Sequence, residues 1–396
     1  MKKTNSGAAA IVCAALLLSG CTKAENPTFS NETETSAADI IYAPESSETS
    51  DTFEVSETKS ETAATKKETE IITVTENTAE KTETAPTVPL PPEGDVPDDY
   101  REDGENGIKI IGRKGHYMGL MGCWGTFELC DGYTEAVNRA AEALPDVKVY
   151  SMVIPTSSEF YTPNDVTGFT ASQKAKIDHI AEGLKAAENA DAYSALAAHL
   201  EEPIYTRTDH HWQPLGAYYA AKAFAETAGA EKDFALLSEY KTVTKEGYVG
   251  SLYNYSKSQN LYNDPEAFTM YISPNDAGLK TTYYDTAFQN GYESDLFVSR
   301  DGGAYYCSFL GSDDRIAEIT TDCDNGRCLV IFKESYGNAL VPFLTTCFQK
   351  IYVCDVRYFD LDAAGFCNDV GATDLLFATC TFTPAGPNCS YVQGLF

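Results

Sequence analysis

Cys328-Leu-Val-Ile-Phe-Lys333-Glu334-Ser335-Tyr336-Gly337-Asn338-Ala-Leu-Val-Pro342-Phe343-Leu344 is an apolar run that breaks at a polar turn and then resumes with helical spacing. A short apolar run bounded by a turn reads as a fully buried strand. The segment beyond it reads as a helix over 337–345. Ser335 falls at the junction. A serine held there faces the free N–H groups of a helix N-terminus, which favour a developing negative charge on oxygen. The arrangement is that of a nucleophile elbow, although the G-x-S-x-G spelling is absent. The plainer role for such a serine is a helix N-cap.

Working outward, apolar strands are predicted at 351–356 and 375–380 downstream, and at 315–320, 147–154 and 108–112 upstream. Helical spacing is found over 133–144, 172–187, 192–200 and 214–228, the last opening with Pro214, whose missing N–H costs nothing in a first turn. Short buried strands separated by amphipathic helices predict an α/β fold with a mainly parallel sheet. Residues 238–301 are rich in Tyr, Asn and Ser, have few clear periods, and read as short strands joined by long loops.

The second informative stretch is Tyr205-Thr-Arg-Thr-Asp209-His210-His211-Trp212-Gln-Pro-Leu-Gly216, where an extended segment turns into a helix. Loops at that junction lie at the end of a sheet where α/β proteins bind ligands. Asp209 and His211, two apart in a turn, can bond carboxylate to Nδ1–H. That fixes the tautomer and leaves Nε2 as a base. Asp209 could equally be an N-cap. No metal is expected: Asp209, His210 and His211 have no second cluster, HExxH or Cys-x-x-Cys to complete a shell. No cofactor motif is present.

Three segments together, 207–218, 333–344 and Ile351-Tyr-Val-Cys-Asp355-Val-Arg357-Tyr-Phe, resemble the DHHW protein family. That family is SGNH-hydrolase-like and related to the alginate O-acetylation proteins. The resemblance covers about 107–396. It implies a flavodoxin-like, three-layer α/β/α fold with permuted motif order, the Asp-x-His pair preceding the serine. Carried over by position, it implies Ser335 as nucleophile, His211 as base and Asp209 as its orienter. Trp212 and Arg357 match positions near the site, with oxyanion or substrate roles, and Gly311 offers a backbone donor. Glu334 replaces the family's usual Asp. Asp313, two residues from Gly311, would repel an oxyanion if ionised.

The N-terminus reads as an export signal. Lys2 and Lys3 precede an apolar stretch over 8–18, too short for a permanent span, and Leu18-Ser19-Gly20-Cys21 reads as a lipobox. The signal is 1–20, and Cys21 is the expected lipidation site, tying the chain to the outer side of the cell membrane; two or more acyl chains make such anchoring stable. Residues 21–105 read as a disordered Thr/Glu/Ser-rich tether with net charge −16 between 22 and 105. The domain is placed at 106–396 and is also −16, within a chain total of −30. That balance excludes nucleic acid as a partner and disfavours strongly acidic polymers.

Ten cysteines lie in the domain without a Cys-x-x-Cys pair, several inside apolar runs as small hydrophobes. Cys323 and Cys328 are close enough in sequence to bridge a turn. The expected function is O-acetyl transfer or acetyl-ester hydrolysis on a cell-surface or exported polysaccharide. Transfer would need a membrane-bound acyltransferase as donor, since acetyl-CoA does not occur outside the cell. The rival reading is a non-catalytic glycan-binding module using Tyr248, Tyr253, Tyr255, Tyr262 and Tyr271.

Overall fold

The computed structural model describes residues 94–298 and 304–396. The signal segment, Cys21 and the tether up to residue 93 lie outside the described residues. The folded part begins ahead of the expected boundary at 106. Strand β1 (Arg101–Asp103) pairs antiparallel with β2 (Lys109–Arg113), which pairs with β3 (His116–Leu120). Backbone pairing recruits these residues, and Arg-Glu-Asp gives no apolar signal that would reveal it.

The main sheet draws on β4 (Lys148–Ile154), β5 (Glu188–Asn189), β8 (Lys280–Tyr284), β9 (Tyr292–Ser294), β10 (Ile316–Thr320), β11 (Cys328–Lys333), β12 (Lys350–Asp355) and β13 (Asp374–Cys380). Its order is β5-β4-β13-β11-β12-β10-β8-β9. The first five are parallel; β10, β8 and β9 continue antiparallel at one edge. Counted from β11, the parallel strands run 2-1-3-4-5 across the sheet. That is the flavodoxin-like order entered at a different point in the chain.

Alternate side chains feed two cores. Leu329 and Ile331 of β11 join one, with Trp212, Tyr218, Phe224 and Phe343. Val330 and Phe332 join the other, with Tyr133, Val137 and Ile180. Helix Pro214–Thr227 covers the first face, and Phe127–Ala143 with Gln173–Gly183 the second. The three-layer α/β/α reading therefore holds. All six residues of β11 are buried, as a central parallel strand requires.

The middle of the chain is more regular than its composition suggests. β6 (Lys241–Tyr248) and β7 (Glu266–Ile272) form a separate two-stranded sheet. Two of the five tyrosines expected on its surface are core residues: Tyr248 packs on Phe268, and Tyr271 on Phe343. None of the ten cysteines is disulfide-bonded. The Cys323 thiol faces the Thr346 carbonyl and the Cys328 thiol the Val370 carbonyl, so the two do not bridge. No helix among the described residues is long and apolar enough to cross a membrane.

Candidate active site

From Cys328 to Thr345 every residue is buried except Ser335, which is half-exposed. The helix expected here opens as a 3₁₀ segment, Ser335–Leu340, before one α-turn, Val341–Leu344. Glu334 explains the sharp start. Its carboxylate accepts the Tyr336 N–H (3.1 Å) and, through Oε1, the Cys380 N–H (2.6 Å). The turn is thus capped and fastened to the end of β13. Ser335 follows strand 1 and Cys380 ends strand 3 of the order counted from β11, so the serine sits at the topological switch point, where α/β sheets open a crevice.

The Asp-His-His loop reaches the same point from the other side. A bridge between Tyr205 and Trp212 closes the loop. Buried Glu266 of β7 accepts the Arg207 N–H (2.8 Å), the Thr208 N–H (2.7 Å) and the Thr208 hydroxyl (2.7 Å). Burial raises the Glu266 pKa, against the opposing pull of Arg207. Asp209 then accepts four donors: His211 N–H (2.9 Å), His211 Nδ1–H (2.6 Å), the Tyr248 hydroxyl (2.9 Å) and the Ser251 N–H (2.9 Å). Burial pushes the Asp209 pKa up, but His211 and these donors outweigh it and hold the carboxyl well below its ordinary range. Gly250 is needed for this contact, since a Cβ there would lie 2.4 Å from the Asp209 side chain.

His211 Nε2 lies 2.7 Å from Ser335 Oγ. With Nδ1–H committed to Asp209, Nε2 is the acceptor and the serine hydroxyl the donor. Tyr306 stacks on one face of the imidazole at 3.8 Å between centroids, and the His210 ring lies 3.8 Å away. Burial, with His211 beside it, pushes the His210 pKa down to about 3, so His210 is neutral and adds no second charge. Its Nδ1 is 2.6 Å from Ser251 Oγ. The ligand atoms of Asp209, His210 and His211 come within 4.8 Å of one another. However, both ring nitrogens of His211 are already engaged, one by a carboxylate and one by a hydroxyl, so the set fits a proton relay better than a metal shell.

The remaining expected residues separate from these three. Trp212 is fully buried behind the turn, where Nε1–H donates to the Tyr336 carbonyl (3.1 Å). It supports the serine turn and has no face toward a substrate. Arg357 is spent on carboxylates: Nη2 lies 2.7 Å from Asp355 and 2.8 Å from Asp313. Lys333 Nζ joins the same two, at 2.8 Å from Asp313 and 2.9 Å from Asp355. Asp313 also accepts the Asn338 amide N–H (2.8 Å). Burial opposes ionisation of Asp313, but Lys333 and Arg357 prevail and hold its pKa far below the usual range. Two cations thus balance the two carboxylates, which offsets the expected repulsion. Gly311, at φ +68°, turns the chain that brings Asp313 inward. Sequence reasoning missed Glu266, Tyr306 and Lys333, and gave Tyr248 to a glycan surface when its hydroxyl holds Asp209. Only Lys333, an isolated cation in an apolar strand, left a signal.

Residues 125–354 match the family model described as DHHW protein. The chain belongs to the DHHW family. A crystal structure of a DHHW family protein from Eubacterium siraeum is 42% identical, with a TM-score of 0.70, covering 74% of this chain and 98% of that one. Bacillus cereus PatB1, solved with a sulfonyl adduct, is 15% identical with a TM-score of 0.59, covering 72% of this chain and 98% of that one, a likeness of fold. The O-acetyltransferase domain of Pseudomonas putida AlgJ is 14% identical with a TM-score of 0.40, covering 72% of this chain and 98% of that one. No curated protein sequence matches. The DHHW name spells Asp209-His210-His211-Trp212, so the motif holds the carboxylate and the imidazole that reach Ser335 and the buried indole that supports its turn.

Proposed function

We propose that this DHHW protein is a serine-dependent O-acyl transferase or esterase that acts on acetyl groups of a cell-surface or exported polysaccharide, anchored outside the cytoplasm through lipidated Cys21. The observation that carries the reading is the continuous chain from Asp209 through His211 to Ser335, at 2.6 Å and 2.7 Å. The Ser335 proton moves to His211 Nε2 as Oγ bonds to the ester carbonyl carbon. The ester C–O bond then breaks, and the leaving alcohol takes that proton from His211. A sugar hydroxyl or water next attacks the acyl-serine, again losing its proton to His211; the bond between the acyl carbon and Oγ then breaks, and His211 returns the proton to Ser335 Oγ. Asp209 stays ionised throughout and holds the imidazolium in place. In the transfer direction a membrane-bound acyltransferase supplies the acyl group.

The test is release of p-nitrophenol from p-nitrophenyl acetate by the full-length chain, beside Ser335→Ala and His211→Ala. Labelling with phenylmethylsulfonyl fluoride is read in parallel, since a sulfonyl electrophile takes the oxygen of an activated serine. Turnover and label that both depend on Ser335 support the reading. A wild-type protein that neither turns over nor takes the label overturns it in favour of the non-catalytic glycan-binding module. The ion pairs of Asp313 with Lys333 and Arg357 favour the catalytic reading, since they offset the negative charge that would oppose an oxyanion.

A further inference from the structure

A second cleft, of about 710 Å³, opens beside the three-stranded sheet. That volume is in the range of ligand sites. Trp124 stands in it with 57% of its surface exposed, while the chain's other tryptophan, Trp212, is fully buried. The Trp124 indole therefore faces the cleft rather than the core. Around it lie two ion pairs. Arg101 meets Asp165 through two bonds, Nη2 at 2.8 Å and Nε at 3.1 Å, and Lys109 meets Asp103. The lining is therefore neutral in sum although the whole chain is strongly acidic.

The segments that line the cleft are tied to the chain that leaves the C-terminal ends of β4 and β13. Asp165 and Phe169 belong to the segment that follows β4, at its C-terminal end. Cys123, next to Trp124, is bonded to that segment through the Thr170 hydroxyl (3.0 Å) and the Ala171 N–H (2.9 Å). Gly125 packs on the Ala385 carbonyl so closely that a Cβ would lie 1.7 Å from it. Ala385 belongs to the segment after β13, the strand whose last N–H is held by Glu334 beside the serine. A polymer crossing the C-terminal ends of the parallel strands can thus meet both Ser335 and Trp124.

We propose that this cleft is a subsite for an uncharged sugar ring of the polysaccharide, which rests on the function proposed above. The negative face of an indole suits the polarised C–H groups of a pyranose. Paired carboxylate and guanidinium groups offer adjacent acceptors and donors to neighbouring hydroxyls. An acidic sugar would meet no unpaired cation there.

The experiment reads binding without chemistry, using the full-length Ser335→Ala protein. Acrylamide quenching of tryptophan emission reports Trp124, because Trp212 is shielded. Cellotetraose, chitotetraose and maltotetraose are titrated as neutral probes, with tetragalacturonate as the acidic one. Protection by at least one neutral oligosaccharide, weakened about ten-fold or more in Arg101→Met, is the expected result. Binding of the same oligosaccharide by calorimetry should fall as far in Trp124→Ala. No protection by any neutral probe, stronger protection by tetragalacturonate, or calorimetric binding unchanged in Trp124→Ala overturns the proposal. Because Ser335 is absent from this assay, failure here is separate from failure of ester turnover in the wild type.

Discussion

Glu334 Oε1 accepts the Cys380 N–H at 2.6 Å, joining the residue before the serine to the end of the neighbouring strand. The same carboxylate accepts the Tyr336 N–H. One side chain thus sets both the start of the 3₁₀ turn and its distance from β13. Glu334→Gln keeps the length but gives up the charge and puts an amide donor where an acceptor is needed. We expect a loss of about 1.5–3 kcal/mol, the range for hydrogen bonds to charged groups, measured by urea unfolding. An unchanged midpoint would mean that the turn holds its shape without the cap.

Asp209→Asn preserves shape but cannot enforce the Nδ1–H tautomer of His211. Ester turnover should fall on the order of 10³- to 10⁴-fold, as for an orienting carboxylate in such a relay. Combining Ser335→Ala with His211→Ala should cost little more than either alone, because the two act as one unit. Additive losses in the double variant would contradict a shared proton path.

Gly250→Ala places a methyl 2.4 Å from Asp209 Cβ and Oδ2. Gly250 has a negative φ of −93°, so an alanine there suffers no backbone strain and the fold should persist. The side chain that must yield is Asp209, and His211 moves with it. We expect turnover to drop about 10²-fold, the cost of a misplacement near 1 Å, while far-ultraviolet circular dichroism stays as in the wild type. Full turnover in this variant would show that Asp209 can shift without consequence.

Asp209 and Asp313 both have folded-state pKa values depressed below the unfolded value, against the effect of burial. As pH falls, the unfolded chain takes up protons first. The stabilisation from these carboxylates is complete above about pH 5 and is lost progressively below about pH 4. In Asp313→Asn the fall of the urea midpoint between pH 5 and pH 3 should be shallower, from a lower plateau at neutral pH. An acid limb as steep as that of the wild type would exclude Asp313 as a contributor. Lys333 behaves in the opposite sense: its pKa is raised by Asp313 and Asp355 despite burial, so its contribution holds at neutral pH and is lost as pH rises through the alkaline range.

The central parallel strands were legible because they are apolar over most of their length, as Cys328 to Phe332 of β11 show, whereas the two-residue edge strand Glu188–Asn189 left no such run. The pairing of Asp209 with His211 followed from a spacing of two in a turn. What stayed hidden depends on contacts distant in sequence. Tyr248 and Glu266 hold the Asp-His-His loop from a hairpin whose alternation is blurred by Gly, Lys and Glu. Charge matching at Asp313 needs Lys333 and Arg357, which lie 20 and 44 residues away. The Trp212 indole was legible as a neighbour of the site, but its inward direction comes from the tight bridge with Tyr205.

The permuted strand order also sets a timetable for synthesis. Until β11 and β13 are made, β4 has only the two residues of β5 to pair with, and the central positions of the sheet are vacant. The histidine arm therefore leaves the ribosome well before the serine strand it serves. A sheet whose central strand begins only at Cys328 cannot close before that strand is made, however early its outer strands emerge.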